Sequence, residues 1–131
     1  MMLPIFFRVI SILAYCFIIL TGDFIGVPLI FVLAGDLFAN SNIIRISAIL
    51  AFIGLGKIII VNMYSKTGWT FLTEIVAFIF LLLPLIVRIT SMSISLFNYG
   101  AFILPVCIFI LFYLLSLFFS YRTILKGNNK L

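Results

Sequence analysis

The stretch Trp69 to Val87, WTFLTEIVAFIFLLLPLIV, decides the class of fold. It holds a lone charge, Glu74, in a run of aromatic and branched aliphatic side chains. Its length suits a helix that crosses a hydrocarbon core, which takes about 20 residues for about 30 Å. The rest of the chain reads the same way. Residues that favour hydrocarbon make up 66% of it and charged residues 8%, too few for the surface of a soluble domain. Three further apolar runs stand out, Leu3 to Thr21, Ile43 to Val61 and Tyr99 to Ser120. With 131 residues, and about 20 per crossing plus connections, there is room for four crossings and no separate catalytic module. The expected fold is all-α. It is a polytopic integral membrane protein in which residues 1–131 form a single domain, a bundle of four transmembrane helices at about 3–21, 43–61, 69–87 and 99–120. A short basic cytoplasmic tail is expected at residues 121–131.

A short basic start followed by an apolar stretch also resembles a secretory signal. Here Thr21-Gly22-Asp23 makes a poor cleavage site and more long apolar runs follow, so the first run is read as a retained helix. Between the first two spans lies Phe24 to Ala34, bounded by Asp23 and Asp36 and holding Gly26 and Pro28. As a helix it would reach only about 16 Å into a core about 30 Å thick, so it is expected to be a short re-entrant or interfacial segment, or a bent extension of the first helix. Gly22 and Gly26 match a GxxxG spacing but stand beside an aspartate, and they read as a turn or bend.

The chain carries eight lysines and arginines against three acids, a net charge of +5. With four crossings and both termini cytoplasmic, Arg8, Lys66, Arg122, Lys126 and Lys130 fall inside, while Arg45 and Arg88 fall outside with Asp23 and Asp36. That is the lysine and arginine bias expected of a bacterial inner membrane. Tyr64, Trp69 and Tyr121 then mark the inner interface and Tyr99 the outer one.

Two ionisable side chains stand within spans, Lys57 and Glu74. They flank the connection around Lys66 at matching depth, each about 7 to 9 Å inside its helix end at a rise of about 1.5 Å per residue. An ion pair between them is expected, serving either to fix the register of two helices or as part of a transport path. Alternatively Lys57 snorkels to the headgroups. Ser47, Ala48, Ala51 and Gly54 recur at three- and four-residue spacings and predict a close-packing face on the second span. Pro84 and Pro105 each remove a backbone donor inside a span. Asp23, Asp36, Arg45 and Arg88 form a candidate charge cluster on the outer side. Arg122, Lys126 and Lys130 suit contact with anionic lipid headgroups.

Several chemistries are disfavoured. Histidine is absent from the sequence, which removes histidine-ligated haem, the usual intramembrane zinc and copper sites and a histidine base. The two cysteines, Cys16 and Cys107, sit in apolar runs outside any CxxC motif and read as small hydrophobes. The acids are too scattered to pair as catalytic carboxylates, and no phosphate loop, nucleophile elbow or metal-binding cluster appears. No catalytic residue, cofactor, metal or nucleic-acid partner is therefore expected. The chain reads as a small non-enzymatic protein of the lipid bilayer, an accessory factor or subunit that docks on another membrane protein or on itself. A homo-oligomeric transporter or channel using Lys57 and Glu74, and a membrane-embedded immunity or lysis-type protein, are the alternatives.

Overall fold

The computed structural model describes residues 2–21, 26–63 and 68–128. Helix α1 runs from Met2 to Cys16 and is followed by strand β1, Ile19–Thr21. Strand β2, Gly26–Pro28, pairs antiparallel with β1 and leads into the short helix α2, Leu29–Asp36. Then come α3, Asn42–Met63, and α4, Gly68–Ser91. A 3-10 turn at Ile94–Phe97 precedes α5, Gly100–Asn128. Among the described residues three helices are long and apolar enough to cross a membrane, α3, α4 and α5, and α1 is a shorter apolar helix. The chain is thus a helical bundle of the kind that suits a membrane.

The first span departs from expectation. A helix was expected over residues 3–21, but α1 stops at Cys16, giving it about 22 Å of length at 1.5 Å per residue. The next residues turn, with Ile18 N–H donating to the Tyr15 carbonyl, and Ile19 to Thr21 then enter a strand. Pro28 accounts for part of this. It has no N–H to donate and ends β2 opposite Ile19, immediately ahead of α2. Leu29 N–H closes the corner on the Ile18 carbonyl at 2.7 Å. A Cβ at Gly26 would lie 2.7 Å from Ile19 Cγ2, so a larger residue there would force the Ile19 side chain or the strand pairing to shift. The segment expected to be re-entrant or interfacial is therefore β2 and α2; Gly22 and Asp23 lie outside the described residues.

The long helices form two antiparallel pairs. Helix α1 lies along α5, with Phe7 against Phe112 and Phe119 and Tyr15 against Phe109. Helix α3 lies along α4. At Gly54 an added Cβ would stand 3.1 Å from the Ala77 carbonyl oxygen and 3.2 Å from Phe80 Cβ, so the absent side chain sets how near the two backbones come. Ser47, Ala48 and Ala51 are buried on the same helix, and the Ser47 hydroxyl is satisfied within α3 by the Ile44 carbonyl at 2.8 Å. The two pairs meet through an aromatic group in which Phe78 of α4 stacks on Tyr113 at 4.6 Å and tilts against Phe109 at 5.6 Å. Both α4 and α5 continue unbroken through Pro84 and Pro105.

Candidate functional site

The bundle's polar interior begins on α1, where Arg8, Ser11 and Tyr15 share a face at spacings of three and four residues. Helix α5 answers with Tyr113, Ser116 and Ser120 at the same spacings, and all six side chains are buried. Two serine hydroxyls of this seam are spent on backbone carbonyls of the opposite helix. Ser11 donates to the Phe109 carbonyl at 2.8 Å and Ser116 to the Pro4 carbonyl at 3.0 Å. In a medium without water an unpaired hydroxyl is costly, and a carbonyl already bonded within its helix keeps a second lone pair.

Arg8 reaches out of this seam to α4. Its Nη2 stands 2.7 Å from Glu74 Oε1, and both side chains are only 1% exposed. The same nitrogen donates weakly to Ser120 Oγ at 3.4 Å. Tyr113 donates its hydroxyl proton to the Glu74 backbone carbonyl at 2.9 Å, so α5 grips α4 at the residue that carries the acid. One ion pair and one phenol thus tie three helices at one level. Glu74 Oε2 and the Tyr15 hydroxyl are buried at the seam with no hydrogen-bond partner among the described residues.

The ion pair expected between Lys57 and Glu74 is absent, and the reason is azimuth. The two residues do sit at similar depth on antiparallel helices, but Lys57 opens on a groove lined by Leu72, Thr73, Val76, Ala77 and Phe80. Glu74 follows Thr73 by one residue, about 100° around the α4 axis, which turns it with Phe78 towards α1 and α5. Lys57 is exposed and joins no ion pair among the described residues. The partner that Glu74 takes, Arg8, was read from sequence only as a charge near the start of the first span. Its signal was the 3,4 spacing of polar residues on α1, repeated on α5.

At the other end of the bundle Asp36 and Arg88 of the outer-side cluster are joined in an ion pair between α2 and the last turn of α4. Arg45 stands apart, donating to Asn42 Oδ1 on its own helix at 2.7 Å, and Asp23 lies outside the described residues. Nearby, Tyr99 donates to the Ile19 carbonyl at 2.5 Å and holds the strand pair to the start of α5. A mainly apolar cavity of about 140 Å³ lies between Leu20, Val27, Val32, Arg88 and Phe97.

Of the basic tail residues, Arg122 lies over the Phe118 ring at 5.5 Å and Lys126 stands in the last turn of α5, both exposed. Lys66 and Lys130 lie outside the described residues. Cys16 and Cys107 are free thiols. Among the described residues no group of three or more acids, cysteines or histidines is placed to hold a metal ion. Neither a family model, nor a curated protein, nor a solved structure matches the chain. Any functional reading rests on this geometry alone.

Proposed function

We propose that the protein is a non-enzymatic accessory factor or subunit of a larger membrane complex, built as four crossings by α1, α3, α4 and α5. The observation that carries this reading is where the polar groups go. Arg8, Glu74, Ser11, Tyr113 and Ser116 all face other helices of the bundle, while the outward faces of α3, α4 and α5 carry Ile46, Ile53, Val76, Ile79, Ile103, Leu111 and Leu114. Such a body offers its surroundings an apolar surface for lipid or for a partner's helices, and keeps the Arg8–Glu74 ion pair as an internal fastening. Size-resolved mass measurement of the protein purified in mild detergent tests it. A stoichiometric foreign membrane protein supports the reading, and a bare monomer refutes it.

A second reading, a homo-oligomeric transporter or channel, is favoured by one observation, the buried Glu74 Oε2 without a hydrogen-bond partner. Intramembrane acids of that kind serve as ion-coupling groups in transporters. A defined homo-oligomer in the same measurement, with flux abolished by Glu74→Gln in vesicles, would select it.

Both termini are assigned to the cytoplasmic side of a bacterial inner membrane. The antiparallel course of α1 and α5 puts the start of one beside the end of the other. Lys57, Arg122 and Lys126 stand at that end, with only Arg45 outside an ion pair at the opposite one among the described residues. Reporter fusions after Leu131 and after Lys66 should report cytoplasm, and fusions near Asn40 and Ser95 the outside. A periplasmic signal after Leu131 would overturn the four-crossing assignment.

A further inference from the structure

We infer that the groove between α3 and α4 at Lys57 is a binding site for one anionic phospholipid. The groove holds about 120 Å³ and is lined by Ile53, Lys57, Thr73, Val76, Ala77 and Phe80. Its lining is graded by depth. Lys57 and Thr73 lie about 8 to 9 Å from the adjoining ends of α3 and α4, whereas Val76, Ala77, Ile53 and Phe80 lie about 12 to 18 Å in. The cation is therefore at the shallow end and the apolar floor at the deep end, the polarity of a phospholipid standing in its own leaflet. The Thr73 hydroxyl is occupied by the Thr70 carbonyl at 2.8 Å, which leaves the ammonium to provide the recognition.

Charge complementarity selects the occupant. Arg8 and Arg88 are neutralised by Glu74 and Asp36, and Arg45 lies at the far end against Asn42. Lys57 is exposed on the membrane-facing side with no counter-charge among the described residues. A lysine there lays its methylenes along apolar surface and lifts its ammonium towards the phosphate layer. Basic pockets between transmembrane helices on the cytoplasmic side suit acidic lipid headgroups. A carboxylate on a partner's helix is the poorer candidate, because it must be carried into hydrocarbon to reach Lys57, whereas a lipid phosphate already sits just above it.

The site has a built-in reporter, the sole tryptophan of the chain, Trp69. It is 79% exposed and borders Leu72, which also lines the groove. The full chain would be placed in vesicles of phosphatidylcholine containing chain-brominated phosphatidylglycerol or, in a parallel set, chain-brominated phosphatidylcholine, and quenching of Trp69 would be read. Retention in the vesicles after an alkaline wash tests the membrane-spanning reading on which the site rests, so failure of that reading is seen separately. Brominated phosphatidylglycerol is expected to quench at a lower mole fraction than brominated phosphatidylcholine. Lys57→Met should shrink that preference by about fivefold, the weight of one lysine at an anionic surface, while Lys57→Arg keeps it. Arg122→Gln with Lys126→Gln should also leave it in place. Equal quenching by the two lipids in the wild-type protein overturns the proposal, whatever the variants do. So does a preference that survives Lys57→Met, one that disappears with the tail variant, or a carboxylate of a second protein cross-linked to Lys57.

Discussion

The two ion pairs among the described residues stand near opposite ends of α4 and are made from the same chemistry, yet they do different work. Asp36 and Arg88 are 12% and 19% exposed and tie a short helix to a helix end. Arg8 and Glu74 are 1% exposed and are backed by a phenol and a serine from α5. The first can exchange partners with water or headgroups when it breaks. The second cannot, so each of its members depends on the other for survival in hydrocarbon. What separates a fastening from an ornament is the cost of the broken state.

That contrast is broken most directly at Glu74. Glu74→Gln leaves the Arg8 charge buried without its counter-ion and should cost roughly 3 to 5 kcal/mol, seen as a large fall in the thermal midpoint in detergent. Arg8→Met should do similar harm, and the double variant should recover much of the loss because two neutral groups pack where one orphan charge does not. Additive losses would show that the pair is not coupled. Next in size, Tyr113→Phe removes the bond to the Glu74 carbonyl and should cost about 1 kcal/mol, in the range found for interhelical hydrogen bonds in membranes. Asp36→Asn should cost about 1 kcal/mol or less, and the loss should shrink as salt is raised, since this pair is open to screening. If it equals the loss at Glu74, the contrast between the two ends fails. Smallest of all, Lys57→Met should change stability by no more than about 0.5 kcal/mol, and in combination with Glu74→Gln it should add nothing beyond the single effects.

Much of the architecture was legible because hydrophobic length is a one-dimensional signal. The runs at 43–61 and 69–87 lie inside α3 and α4, and the run at 99–120 lies inside α5 but for Tyr99; the helices extend past the last two because Arg88 to Ser91 and Tyr121 to Asn128 keep the helical hydrogen bonds after the apolar text ends. The strand pair was not legible. Ile19 to Thr21 and Gly26 to Pro28 are three residues each, too short for alternation to register within an apolar background, and only Pro28 and Gly26 marked the spot. The site was half legible for a related reason. Counting residues from a loop gives depth, which Lys57 and Glu74 share, but a single position of slip rotates a side chain about 100° and changes which helix it meets. The information that assigns Glu74 to Arg8 lies in the third dimension, in the packing of Phe78 against Tyr113 and Phe109.

The placement of Arg8 also sets a timetable. It lies on α1, which is made before α4 and α5: its acid is on α4, and the serine beside it, Ser120, is 112 residues further along the chain. At about 5 to 20 residues per second, synthesis of the missing partners takes about 3 to 22 seconds, far longer than a helix needs to form. Through that interval the Arg8 guanidinium is without the Glu74 carboxylate that pairs with it in the folded bundle. Helix α5 thus locks the earlier-made α1 in place, and a ribosome stalled before α5 would leave α1 without the partners that bond Arg8, Ser11 and the Pro4 carbonyl.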